Sequence, residues 1–517
     1  MIDILRTPDD SKIYCEGENA DAVLNTVLEN GALAVYVEAE KTKVKRILLR
    51  WNHPTRENTR IMGDKWERAY GDMTWGSLNG EVFMPWYFLA SNGKSTVGCG
   101  VKTGANSFVC FQYDGQGVTC HIDLRNGGKG VLLNGRRIKA CEIVCAEYGG
   151  VSEFCAAKSF CALMCENPVL TKEPVYGSNN WYYAYGVSSK EDIIKDCEII
   201  ASLTESLQNR PFMVIDDGWS QSSCGGPWYP NEKYGDMEEI ARIFKKMNVK
   251  AGLWFRPLHD AKEETEHPER CINRAKNRFL DPTHPEVKKY ISDTVTRFTK
   301  WGYALIKHDY STFDLFGRYG FSLNGMITGD GDWSFYDNTK TNAEIVKELY
   351  LLIQRAAGDA TVIGCNTVSH LCAGIHAVNR IGDDTSGRHW SRTRALGINS
   401  LAFRLCQNNT FYAADADCVG ILGKNIPWSL NKKWLYLLAH SGTPLFVSIQ
   451  PDALTEEMRK DLAKAFEVNS VQQNSAEPLD WTYNNTPSLW NIDGQKTEFD
   501  FTEDVYPALL DHNTQPY

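Results

Sequence analysis

From the start of the chain to about residue 170, short apolar runs alternate with turn signals. ALAVYVEAE, KRILLRW, EVFMPWYFLA, SFVCFQY, VTCHIDL and KACEIVCAEY are separated by Gly/Asn/Asp pairs such as NGG and NGR. That rhythm predicts strands and, from their number, a β-sandwich. From about residue 176 the pattern changes to strand-like runs alternating with amphipathic helices. The runs are SNNWYYAYG, PFMVIDDGW, VKAGLWFRP, YALIKHDYS, TVIGCNT, AVNRIGDDT, FYAADADCV and TPLFVSIQ. In one helix Val287, Tyr290, Ile291, Val295 and Phe298 recur at 3.6 spacing, and Thr283 with Glu286 reads as its capping box. Further helices begin near Asp236, Thr341 and Arg392. Eight such units over roughly 290 residues match a (β/α)8 TIM barrel. The competing doubly wound sheet lacks a GxGxxG after its first strand. The fold class is therefore multidomain α/β. An N-terminal β-sandwich spans 1–172, the barrel 173–468, and a short C-terminal β domain of two to four strands 469–517.

Two segments are too long for ordinary barrel loops, about 220–235 and about 312–340. The second is rich in glycine and aromatics. Long loops at the C-terminal face of a barrel build its active site.

Composition narrows the function. Apolar residues make up 43 % and charged residues 23 % of the 517, which is globular usage. The net charge of −10 disfavours nucleic acid or an anionic membrane as the main partner. Sixteen cysteines include no CxxC, and neither zinc-ribbon spacing nor HExxH occurs. They read as buried free thiols of a reducing compartment. The start lacks a basic segment followed by an apolar one. The expected location is cytoplasmic as the sequence stands, or periplasmic or secreted where a leader has been removed.

Active-site groups of a barrel sit where its strands end. The second strand ends in Asp216 and Asp217, the third in Trp254, the fourth in Lys307-His308-Asp309, the fifth in Cys365-Asn366 and the sixth in Arg380 to Asp384. Side chains alternate along a strand, so Lys307 and Asp309 share a face while His308 packs towards the helices. A lysine near Asp309 keeps that carboxylate ionised, as a nucleophile requires. By the same rule Arg380, Gly382 and Asp384 share a face, with Gly382 leaving room for a ligand. Asp383 is then a supporting or helix-capping group. Two carboxylates facing one aromatic-rich pocket suggest glycosidic bond hydrolysis. Asp216 and Asp217 are candidate acceptors for sugar hydroxyls, and Trp181, Trp219 and Trp254 candidate ring-stacking faces. Asp-rich strand ends also bind magnesium, but no histidines cluster with these.

The ordered set VIDDGW, GLWF, LDPTHPEV, LIKHDY and RIGDDT resembles glycoside hydrolase families 27 and 36, the α-galactosidase clan, with spacing closest to family 36. The likeness runs from about residue 176 to 450. It extends loosely through DKWERAYGDMTW and PLDWTYNNTPSLW. It implies retaining hydrolysis of α-linked galactosides with no cofactor or metal, on a small oligosaccharide or glycoside. Asp309 falls on the family nucleophile and Asp384 on the acid/base, which is expected to titrate high. Asp216 and Asp217 fall on the pair gripping the sugar O4 and O6. Trp254, Lys307, Cys365 and Arg380 fall on subsite contacts. Trp181 resembles a first-strand aromatic of the site, and Trp66 one lent by the N-terminal domain. Three features depart from the pattern. Asn366-Thr367-Val368 replaces a Gly-Ser-rich turn near the sugar C2 substituent, which leaves α-N-acetylgalactosaminide or β-L-arabinopyranoside open. The C-terminal domain is short, either incomplete or finished by another copy in a homo-oligomer. The N-terminal domain is also smaller than in the large tetrameric members. Transglycosylation in place of hydrolysis, and a carbohydrate-binding protein on an inactive barrel, are the remaining alternatives.

Overall fold

The structure is a computed structural model and describes residues 2, 4–54, 58–274, 278–323, 325, 327–423, 425–471 and 476–502. Its first part builds two antiparallel sheets. One runs in the order Asp10–Cys15, Lys43–Asn52, Gly117–Asp123, Phe108–Tyr113, Met84–Pro85, with Val131–Leu132 beside Lys43–Asn52. The other runs Val23–Glu29, Ala32–Glu38, Ile138–Gly149, Ser95–Val101, Tyr87–Ser91, Arg60–Gly63, Gly76–Ser77. Alternation drives the burial. Val44, Ile47, Leu49 and Trp51 are buried and their neighbours half-exposed. The break in that alternation, at Lys45–Arg46, coincides with a bulge opposite Tyr14 and Cys15.

An all-strand reading of this stretch misses one element. Glu153–Met164 is a helix, capped by the Ser152 side chain accepting from the Cys155 N–H. Phe154, Ala157, Phe160, Cys161 and Met164 form its buried face at helical spacing.

The second part is one parallel sheet of nine strands with helices between them. In chain order they are Tyr176–Asn179, Phe212–Ile215, Lys250–Phe255, Leu305–His308, Thr361–Gly364, Val378–Arg380, Ala413–Asp415, Cys418–Ile421 and Leu445–Ile449. Two runs differ from expectation. The first strand ends at Asn179, because Trp181–Ala184 makes a helical turn closed by Tyr185 in the left-handed region. The seventh run splits in two at Ala416-Asp417, where Asp417 takes a φ of 72°. Its first half pairs with Val378–Arg380 and its second with Leu445–Ile449. The two ends of the strand order are thus only two residues apart in sequence, which fits a barrel flanked by β domains.

The expected helix starts hold at Asp236 and Thr341, both of which cap their helices. The helix Pro285–Lys300 is capped by His284 rather than by Thr283, whose hydroxyl donates to Asp281 instead. Pro285 at its first position shifts the start by one residue. Near Arg392 the helix starts at Trp390 and passes through a π-helical stretch, Thr393–Asn399.

A seam locks the two parts together. Ala69 forms a parallel bridge with Gly382, donating to the Ile381 carbonyl at 2.8 Å and accepting from the Asp383 N–H at 3.0 Å. Beside it, buried Arg404 pairs with buried Asp64 at 2.8 Å. Residues 64–70 therefore lie against the end of the sixth barrel strand. Glu477–Pro478, Leu489–Ile492 and Gln495–Glu498 form a three-stranded antiparallel sheet. The rest of the expected C-terminal domain, 503–517, lies outside the described residues. Among the described residues no helix is long and apolar enough to cross a membrane.

Candidate active site

Four consecutive parallel strands bring their terminal polar groups together. Asp216, after the second strand, accepts from Asn179 Nδ2 at 2.6 Å and from Lys307 Nζ at 2.7 Å. Burial would lower the Lys307 ammonium, but Asp216, Cys365 and Asp309 together hold it well above its ordinary value. Asp217 accepts from the backbone N–H groups of Gly218 at 2.7 Å and Cys224 at 3.1 Å. Burial and the adjacent Asp216 charge push its carboxyl up to about 6.

Asp309 follows the fourth strand. Its Oδ2 accepts from the Trp254 indole at 3.3 Å and its Oδ1 from the Tyr310 N–H at 2.7 Å. Trp254 is buried. It therefore orients this carboxylate with its N–H. Alternation along the strand is as expected. His308 points the other way, bonded to Ser311 at 2.9 Å and His376 at 3.1 Å, and burial lowers its imidazole to about 4.

Asp384 lies past the sixth strand and keeps a side-chain exposure of 31 %. Arg380 Nη2 reaches its Oδ1 at 3.0 Å, and Arg68 Nη1 lies at 3.9 Å. Burial would raise this carboxyl, but Arg380, Arg68, Arg392 and Lys307 outweigh it and hold it below the ordinary value. The expectation that Asp384 titrates high is thus reversed, because three guanidinium groups converge there. Neighbouring Asp383 pairs with Arg68 at 2.9 Å and Arg392 at 3.4 Å, and its burial raises it. Arg380 also binds Asp417 at 2.6 Å, the Tyr182 hydroxyl at 3.2 Å and the Cys365 thiol at 3.6 Å.

The N-terminal part supplies residues 66–70. Glu67 is fully buried and accepts from the Gly320 N–H at 2.6 Å, from the Tyr70 hydroxyl and from the Asn366 amide. Asn366 itself is buried, and its Oδ1 takes the Phe313 N–H at 3.1 Å. Its amide is thus engaged with protein at both ends. Trp66 is buried with its ring edge-on to Trp86 at 5.1 Å and Phe108 at 5.6 Å. Trp181 is half-buried against Tyr185.

Two sequence readings are corrected here. Trp219 is fully buried, donates to the Trp254 carbonyl at 2.9 Å and packs among Trp228, Phe298 and Trp301, so it belongs to the core. Gly382 makes no room for a ligand. A Cβ there would stand 2.2 Å from the Leu396 carbonyl oxygen, so the glycine permits a close backbone approach. Sequence reasoning missed Arg68, Glu67, Tyr182, Asn179 and Asp417. Glu67 and Arg68 directly follow the singled-out Trp66, and Tyr182 follows Trp181. Asn179 and Asp417 carried no separate signal.

No family model and no curated protein matches the sequence. Solved structures do match the fold. TtGalA, an alpha-galactosidase from Thermus thermophilus in complex with p-nitrophenyl alpha-D-galactopyranoside, superposes with a TM-score of 0.63. Identity is 14 %, over 94 % of this chain and 99 % of that one. A variant of the GH36 alpha-galactosidase AgaA from Geobacillus stearothermophilus, in complex with raffinose, gives a TM-score of 0.61 at 13 % identity. That match covers 88 % of this chain and 69 % of the other. Likeness at this level of identity shows a common fold.

Proposed function

We propose that this chain is a retaining glycoside hydrolase of the GH36 type, releasing terminal α-linked galactose from oligosaccharides or glycoconjugates. The observation that carries this is that Asp309, held by the Trp254 indole and the Tyr310 N–H, and Asp384, held by Arg380, follow the fourth and sixth strands of one parallel sheet. A (β/α)8 barrel at 173–468, an N-terminal sandwich at 1–172 and a short C-terminal β domain complete the reading. The shared fold with enzymes crystallised on galactosides supports it.

In this mechanism Asp309 attacks the anomeric carbon while Asp384 protonates the departing oxygen. Trp254 and the Tyr310 N–H hold the attacking carboxylate in line. Displacement yields a covalent galactosyl ester on Asp309 and a free alcohol. Asp384, now ionised, takes a proton from water, which attacks the same carbon and restores Asp309. Asp216 and Asp217, both anchored by backbone or lysine contacts, accept sugar hydroxyls. Arg380, Cys365 and Trp181 complete the wall around the sugar, with buried Asn366, bonded to Glu67 and the Phe313 N–H, and Trp66, packed on Trp86 and Phe108, behind it.

The test is a panel of aryl glycosides, with proton NMR of the first-formed sugar and Asp309→Ala alongside. Turnover of the α-galactoside with α-galactose appearing first is expected, and no turnover by the variant. A first-formed β-anomer overturns retention. Preference for the α-N-acetylgalactosaminide or β-L-arabinopyranoside overturns the galactose assignment. Binding of galactose without turnover of any glycoside in the panel overturns the enzyme.

A further inference from the structure

A run of aromatic rings begins at the residue after Asp309 and leads to solvent. Tyr310 and Phe313 stand 6.4 Å apart, Phe313 and Tyr319 stack at 4.5 Å and 23°, and Tyr319 and Phe321 stack at 5.6 Å and 17°. Tyr70, from the N-terminal part, meets Phe321 edge-on at 5.1 Å. Exposure grows along the run. Tyr310, Phe313 and Tyr319 are half-buried, whereas Phe321 is 67 % exposed.

A single exposed phenylalanine is ordinary on any protein surface. This one is held in place. The buried Glu67 carboxylate accepts from the Gly320 N–H next to Phe321 and from the Tyr70 hydroxyl beside it. The same carboxylate takes the Asn366 amide, and Asn366 takes the Phe313 N–H. Gly320 is needed for that approach, since a Cβ there would lie 2.5 Å from Glu67 Cγ. At the inner end Arg256 sits 4.2 Å over the Tyr310 ring. A buried carboxylate thus fixes an exposed apolar face at the outer end of a row of rings whose inner end, Tyr310, directly follows Asp309 in the chain. Fixing a binding face before the ligand arrives lowers the ordering cost of binding.

We propose that Phe321, flanked by Tyr319 and Tyr70, is a stacking platform for the aglycone, receiving the apolar face of sugar rings beyond the scissile bond. The proposal rests on the galactosidase reading above and assigns to one residue of this chain, Phe321, the discrimination between short and long aglycones. Pyranose rings carry axial C–H groups on one face, and an aromatic face accepts them. Tyr319, stacked behind Phe321, backs the platform, and Glu67 is a positioning residue that acts through Gly320 and Tyr70.

The test compares Phe321→Ala with wild type on p-nitrophenyl α-galactoside, raffinose and stachyose, using the full chain. Phe321 is exposed, so its truncation is compatible with folding, and Phe321→Trp restores an aromatic face. The platform predicts that kcat/KM for stachyose falls about three- to tenfold more than for the aryl galactoside, mostly through KM. Phe321→Trp restores the ratio. Equal effects on all three substrates, or no rescue by tryptophan, overturn the platform while leaving the galactosidase reading intact. No turnover of the aryl galactoside by wild type overturns that reading and the platform with it.

Discussion

Arg68 brings a guanidinium from the N-terminal part to within 3.9 Å of the Asp384 carboxylate, beside the closer Arg380 at 3.0 Å. These cations favour the ionised form of the group proposed to deliver the proton. Protonated Asp384 is lost as pH rises through a pKa held below the ordinary carboxylate value. The kcat/KM of an oligosaccharide should accordingly fall with rising pH at an acidic midpoint, since that parameter reports the free enzyme. Arg68→Ala removes one of the cations and should move the midpoint up. Arg68→Lys keeps the charge and should move it less. Profiles of kcat/KM for raffinose in the three proteins decide it, and an unmoved midpoint in Arg68→Ala refutes the electrostatic role.

The two carboxylates should also separate by leaving group. Asp384→Ala removes the proton donor but leaves Asp309 and its partners Trp254 and Tyr310 in place. Raffinose, whose leaving alcohol needs a proton, should lose about 10²–10⁴-fold in kcat/KM. A p-nitrophenyl galactoside leaves as a stable phenolate and should lose far less at the glycosylation step. Pre-steady-state release of p-nitrophenol measures that step directly. Equal losses on both substrates would remove Asp384 from the acid role.

Asp217 carries a stability cost that its replacement should reveal. Its carboxyl is pushed up to about 6 in the folded chain, against an ordinary 3.8. A raised folded value means that the native state holds its proton more tightly than the unfolded chain. Stability on this account is greatest below about pH 4 and declines as pH rises towards 6. Asp217→Asn cannot ionise and escapes the decline. At pH 7 it should be more stable than wild type by about 1–3 kcal/mol, with no advantage near pH 3. It should also raise KM for galactosides, because one of its two acceptor oxygens becomes an amide donor. Urea unfolding at the two pH values, with KM alongside, tests both parts.

Alternation made part of this site legible. Lys307 and Asp309 on one side of a strand, and His308 on the other, follow from a period of two, and the contacts of these residues agree. What alternation could not supply came from breaks in regular structure. Asp417 reaches Arg380 where a left-handed residue interrupts a strand, and Tyr182 reaches it from a helical turn that the sequence reads as strand. Arg68 and Glu67 depend on pairing between Ala69 and Gly382, more than 300 residues apart in sequence, which no local pattern encodes. The same limit explains Gly382. A glycine beside two aspartates reads as space for a ligand, whereas a π-helical turn fills that space from elsewhere in the chain.

That crowding gives a further prediction. A Cβ on Gly382 would lie 2.2 Å from the Leu396 carbonyl oxygen and 2.9 Å from Ser400 Cβ. The first obstacle is backbone, so it cannot swing aside as a side chain would. Gly382→Ala must push the Thr393–Asn399 turn away from the end of the sixth strand or displace the strand end itself. Overpacking of this kind costs about 1–3 kcal/mol. Gly382 also pairs with Ala69 and lies midway between Arg380 and Asp384, so either movement spoils the seam and the position of the proposed acid/base together. The variant should therefore unfold at lower urea and lose kcat on aryl and oligosaccharide substrates alike. A ligand-facing glycine would behave differently, with stability unchanged and KM alone raised, and that pattern would restore the reading which the close approach to Leu396 rules out.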